Sequence, residues 1–214
     1  MRFSYYRRLS ARQRRIYDKS DAVGSLRMPS PERLAPHIEA VARELGRADR
    51  AATETAVRRF TMALLEALRV PGVRVRVLAA RPSHDWGELH GLYEPEEGRK
   101  PLVTVWMRTA QRRQPVAFKT FLRTLLHEIG HHLDYELLGL EDSFHTQGFY
   151  KRESSLFRQL VPDPALYEPP KGKAGRGRTL GPANAKPAET ARRPSGPRRR
   201  PAGVEQASLP FEDA

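Results

Sequence analysis

His127 and His131 stand four residues apart, with Glu128 directly after the first, in the run His127-Glu128-Ile129-Gly130-His131-His132. On a helix, side chains at i and i+4 share a face about 6 Å apart along the axis, close enough to grip one metal ion. His127 and His131 are therefore candidate zinc ligands. Glu128 adjoins the first ligand without competing for the metal. From there it can take a proton from a metal-activated water, which makes it the candidate general base. The chain has no cysteine. That excludes a thiolate zinc site, a disulfide scaffold and a cysteine nucleophile, and leaves His, Asp and Glu as donors.

A catalytic zinc takes three protein ligands and keeps its fourth position for water, so one more donor is needed. Two downstream residues qualify. His145 lies in the turn-like stretch Asp142-Ser143-Phe144-His145-Thr146-Gln147-Gly148-Phe149, just before a new helix, from which an imidazole can reach back. Glu153 lies inside that helix and is alternatively the ion-pair partner of a nearby base such as Arg152. His145 is the favoured reading because a neutral imidazole completes a three-histidine site, and Glu153 stays open beside it. Asp134 is placed either to hold a ligand imidazole or to sit solvated. Tyr135 and Tyr150 are candidate oxyanion donors, whereas His132 points away from its neighbour's face. His37, His84 and His90 have no partners in sequence and read as structural or exposed.

The helix that carries the histidines must be held from several sides. Ala117, Phe121, Leu122, Leu125, Ile129, Leu133 and Leu137 recur mostly at spacings of three and four, and no proline interrupts them. This predicts a helix from about Val116 to Leu138 whose apolar stripe faces a core while His127 and His131 point elsewhere. Val73, Val75 and Val77 alternate with Arg74, Arg76 and Leu78, and two more strand-like runs follow at Gly87 to Tyr93 and Leu102 to Met107. They predict a small sheet, mostly antiparallel or mixed; the Leu102–Met107 run is the candidate wall of a cleft where an extended peptide can pair, with a plain core strand as the default alternative. Upstream, Pro31 opens a helical stretch through Arg47, and Asp49 caps another to Leu68, with Ala56, Phe60, Leu64 and Leu68 at helical spacing. The first segment, about Tyr5 to Asp21, carries seven Lys and Arg in the first nineteen positions. It reads either as a helix lying on DNA or as a solvated helix packing one edge on the domain.

These readings give an α+β chain divided into an N-terminal helical region (1–69), a catalytic core (70–162), a basic Pro/Gly/Arg-rich linker (163–203) and a short peptide (204–214). From Glu168 to Ala202 the sequence has almost no aliphatic residues beyond alanine, so it is expected to be disordered. The formal net charge is +13, which favours an anionic partner such as nucleic acid, held by the basic linker without reading its sequence. No apolar h-region follows the basic start and no run is long enough to span a bilayer, so a cytoplasmic protein without membrane contact is expected, with nucleoid association open to it.

The segment around 120–160 resembles the SprT/Spartan and WLM-type zinc metalloproteases, whose HExxH is followed by His-Gly-x-x-Phe. His145 and Phe149 match that His and Phe, while the glycine stands at Gly148 instead of directly after the histidine. The resemblance implies a zincin-like fold, zinc on His127, His131 and His145, Glu128 as base, and work on DNA-associated proteins. A second resemblance is to the IrrE/ImmA-like peptidases, in which a later Glu with a Phe four residues on supplies the third ligand. Glu153 and Phe157 fit that spacing, but Ser154-Ser155 replaces the usual Ala-Asn. Gln206 to Phe211 resembles the bacterial sliding-clamp binding peptide, Gln-x-Ser/Asp-Leu-x-Phe. The expected function is a zinc metallopeptidase. The alternatives are an IrrE/ImmA-like repressor-cleaving peptidase and a non-catalytic nucleic-acid or clamp-binding adaptor with a structural zinc.

Overall fold

A short 3-10 turn at Ser4–Arg8 leads into α1 (Ala11–Ala22), where the first segment had been expected to form one helix from Tyr5. The break falls at Ser10, whose side chain accepts from the Gln13 N–H while the Gln13 amide oxygen accepts from the Ser10 N–H. This reciprocal cap starts a helix at a defined residue. The computed structural model describes residues 2–84, 87–110, 114–163 and 167. The expected linker beyond these residues and the clamp-like peptide at 204–214 lie outside the described residues.

A 3-10 turn at Pro31–Leu34 precedes α2 (Ala35–Gly46), and α3 (Arg50–Leu68) follows, capped as expected by the Asp49 carboxylate on the Ala52 N–H at 3.0 Å. Next come β1 (Arg74–Ala80), a two-stranded hairpin of β2 (Ser83–His84) and β3 (Gly87–Glu88), then β4 (Gly91–Glu94) and β5 (Leu102–Arg108). The anticipated single run from Gly87 to Tyr93 is therefore two strands. The chain continues into α4 (Phe118–Glu136) and α5 (Gln147–Leu160). Among the described residues no helix is long and apolar enough to cross a membrane.

The fold is α+β with a mixed three-stranded sheet in the order β1-β5-β4, β1 parallel to β5 and β4 antiparallel to it. This decides between the two readings of one run. The Leu102–Met107 run is the central strand, not the cleft wall, and its residues are buried on both faces, as a strand paired on both sides must be. Register sets two rows across the sheet: Val75, Val103 and Tyr93, and beside them Val77, Val105 and Gly91. The valines and Tyr93 of these rows join one core with Phe60, Leu64 and Leu65 of α3 and Leu122, Leu125, Leu126 and Ile129 of α4.

The outer edge of β1 is sealed by α3. Glu54 accepts from the Val77 N–H at 3.0 Å, Arg58 Nε donates to the Val75 carbonyl at 3.2 Å, and Arg50 donates to the Val77 carbonyl at 3.3 Å. Covering an edge in this way removes a template for pairing. β4 is the other end of the strand order, and it runs beside α4.

Helix α4 has no side-chain N-cap and no acidic residue in its first turn. A missing cap costs about 1 kcal/mol, whereas each fully buried Leu, Ile or Phe contributes about 1.5–3 kcal/mol. Packing thus decides that this segment is helical. The apolar stripe runs from Phe118 to Leu133; Ala117 and Leu137, expected on it, are exposed because they lie beyond the helix ends. His127, Glu128, His131, His132 and Asp134 are buried as well, so the second face of α4 packs against other parts of the fold instead of opening to solvent.

Candidate metal centre

The i, i+4 geometry of α4 sets the His127 and His131 rings 5.1 Å apart, centroid to centroid. His145 arrives from the loop between α4 and α5. Its place is fixed by the next residue, Thr146, whose hydroxyl accepts from the Phe149 N–H at 2.9 Å and caps α5. His145 Nε2 then lies 2.9 Å from His127 Nε2 and 3.2 Å from His131 Nε2. Tetrahedral ligands at zinc–nitrogen distances of about 2.0–2.1 Å sit about 3.3 Å apart. The three imidazoles are therefore close enough to bind one metal ion.

Hydrogen bonds at the far sides of two rings fix the tautomers. His131 Nδ1 lies 2.8 Å from Ser143 Oγ, and that hydroxyl donates its only proton to Asp134 Oδ2 at 2.8 Å. Ser143 must then accept from His131 Nδ1–H, leaving the Nε2 lone pair aimed at the cluster. His127 Nδ1 faces Glu153 Oε2 at 3.4 Å, and a carboxylate there favours Nδ1–H in the same sense. A proton on His145 Nε2 would serve only one of these two neighbours, whereas a cation serves all three. Burial, reinforced by His127 and His145, holds His131 well below its ordinary pKa, and burial with His127 lowers His145 to about 3. Both rings are neutral and metal-ready at physiological pH.

Glu153 is thus behind the trio, on the Nδ1 side of His127, not among the converging Nε2 atoms. Its other oxygen takes Arg123 at 3.2 Å, which replaces the ion pair expected with Arg152. Arg152 instead donates to Asp134 Oδ1 at 2.6 Å. Asp134 is fully buried, which rules out the solvated alternative; burial pushes its carboxyl up, while Arg152 and Ser143 oppose that shift. His132 bridges the Tyr93 hydroxyl at 3.2 Å and the Pro71 carbonyl at 2.8 Å, a structural role. Of the two tyrosines, Tyr150 lies beside His145, with ring centroids 5.9 Å apart and planes nearly parallel, whereas Tyr135 stacks on Tyr93 at 6.0 Å.

Glu128 is 3% exposed and reaches toward the sheet. Its carboxylate occupies the space over Gly91: a Cβ added there would lie 2.7 Å from Glu128 Cγ, 2.8 Å from Cδ and closer still to Oε1. The row Val77–Val105 ends on a residue without a side chain, and the glutamate fills that gap. Two residues along β4, the Tyr93 ring lies parallel to His131 at 6.3 Å. β4 is accordingly the strand that flanks the site. The Phe149 ring packs against His131 at 4.8 Å and His127 at 4.9 Å. Sequence reasoning missed Gly91, Tyr93, Ser143 and Arg123; the local signal available was Thr146 as an N-cap, which places the residue before it at a helix mouth. Comparison of the chain with family models, curated proteins and solved structures finds no match, so what the site can do follows from its own geometry.

Proposed function

We propose that the protein is a zinc-dependent metallopeptidase with His127, His131 and His145 as ligands and Glu128 as general base. The observation that carries this reading is the convergence of three imidazole Nε2 atoms with a buried carboxylate on the residue that adjoins the first of them. When bound, zinc supplies Lewis acidity, making a water acidic near neutral pH and polarising a carbonyl. Glu128 accepts the proton of the attacking water at its carboxylate and passes it to the leaving amine. Gly91 leaves room for that carboxylate, and Glu153 and Ser143 orient the ligand rings from behind. β4 ends the sheet beside these groups, so an extended peptide can pair with its edge.

The all-histidine cluster and the packing of Phe149 under it favour a SprT/Spartan-like relationship over an IrrE/ImmA-like one, because Glu153 stands at the back of His127. The charge of +13, the basic run from Lys171 to Arg200 and the clamp-like Gln206–Phe211 support proteins on DNA as substrates, brought close by tethering. The decisive test is Glu128→Gln in the full chain. It should keep stoichiometric zinc and lose at least about 10²-fold in peptide hydrolysis; a wild-type chain that hydrolyses no peptide, with Glu128→Gln keeping zinc and full biological activity, would leave the adaptor reading, with a structural zinc, in its place.

A further inference from the structure

The first twenty-two described residues do more than cover a face of the fold. Tyr17 is fully buried and packs edge-on to Tyr5 and Tyr6, and the Tyr5 hydroxyl donates to the His145 backbone carbonyl at 2.7 Å. At the other end of α1, the buried Arg152 guanidinium donates to the Ser20 and Val23 carbonyls at 2.5 and 2.6 Å and to Ser20 Oγ at 3.0 Å. The same guanidinium holds Asp134 at 2.6 Å, and Asp134 holds Ser143, which holds His131 Nδ1. Helix α5 can come this close to α1 only through Gly148. Its N–H donates to Asp21 Oδ1 at 2.9 Å, and an added Cβ would meet the Asp21 and Ser20 carbonyl oxygens at 2.5 and 2.6 Å.

We propose that residues 2–23 are a clasp that positions two of the three ligands, His145 through Tyr5 and His131 through the relay Arg152–Asp134–Ser143. The proposal rests on the metal-site reading above. It makes Tyr5, Arg152 and Ser143 positioning residues and gives the glycine at 148 a steric reason. An arginine on the relay is needed because one planar group must serve carbonyls on one side and a carboxylate on the other, which the fork of a guanidinium does and an ammonium does not. Outer hydrogen bonds of this kind set ring orientation, and losing one costs about 10–100-fold in metal affinity.

The test uses the full chain and Co²⁺ alone as probe, read by its visible absorption and by competition with zinc. Ser143→Ala should weaken binding about 10–100-fold and alter the spectrum, while Ser143→Thr, which keeps the hydroxyl, restores both. Tyr5→Phe and Gly148→Ala should weaken binding in the same direction, with faster tryptic cleavage among Arg7–Lys19 as α1 loosens. Wild-type spectrum and affinity in Ser143→Ala would overturn the relay. Loosened α1 with unchanged Co²⁺ binding in both Tyr5→Phe and Gly148→Ala would overturn the clasp; should Gly148→Ala not fold, Tyr5→Phe decides alone. A wild-type chain that binds no Co²⁺ overturns the metal reading and this proposal together, and is told apart because wild type and variants then behave alike.

Discussion

Glu128 owes its place to a residue thirty-seven positions earlier that contributes no side chain. Because the Gly91 Cα adjoins the Glu128 carboxylate, Gly91→Ala should fold, retain zinc and push the carboxylate off its position. A displacement of about 1 Å can cost about 10²-fold in rate, so kcat should fall by that order with bound zinc unchanged by metal analysis. The two open ligand readings separate in a similar way. His145→Ala removes a converging nitrogen and should abolish stoichiometric zinc, whereas Glu153→Gln loosens only the hold on His127 and should weaken zinc about 10–100-fold. Equilibrium dialysis checks both, and complete loss of zinc in Glu153→Gln would restore the glutamate to the ligand set. His127, Glu128 and His131 were legible in the sequence because helical periodicity alone brings them together. Gly91, Tyr93 and Ser143 were not, since they reach the site through tertiary contacts that no spacing rule encodes.

At the scale of elements, α3 and α4 were readable nearly residue by residue, because long amphipathic runs impose their own period and Asp49 marks a start. The sheet was readable as strands and as a small mixed assembly, but not in its strand order. Periodicity tells which residues alternate, but not which strand lies in the middle, and β5 took the centre because β1 pairs with it in parallel across a long crossover. Its run from Leu102 to Met107, apolar but for Thr104, was the available sign of burial on both faces. The edge that remains on β1 is closed by Glu54, Arg50 and Arg58 from α3. Glu54→Ala leaves the Val77 N–H without its acceptor and should destabilise the fold by about 1–3 kcal/mol. Urea unfolding measures this, with Glu54→Gln, which keeps an acceptor, close to wild type. An equal loss in both variants would place the contribution of Glu54 in its ion pairs to Arg50 and Arg58 instead.

For the whole molecule, net charge was the most legible property and the least informative about where an anionic partner would bind. Seven Lys and Arg in the first nineteen positions read equally well as a DNA-contacting arm, yet that segment buries Ile16, Tyr17 and Ser20 in the fold. Its arginines at 7, 8, 12, 14 and 15 remain exposed, so two basic regions compete for the role: this face and the run ending at Arg198–Arg200. Salt dependence separates them. Each phosphate contact on duplex DNA contributes a slope of about −0.9 in a plot of log affinity against log salt. If the three consecutive arginines each neutralise a phosphate, changing Arg198, Arg199 and Arg200 to Ser in the full chain should reduce that slope by about 2.7. Fluorescence anisotropy of a labelled duplex across a salt series reads the change, and cleavage of an uncharged model peptide should stay as it was. An unaltered slope, with the same loss appearing when Arg7, Arg8 and Arg12 are changed instead, would move the DNA contact onto the clasp that positions the metal ligands. Nucleic acid binding and the metal site would then be coupled through one element, and DNA would alter metal affinity in the wild-type chain.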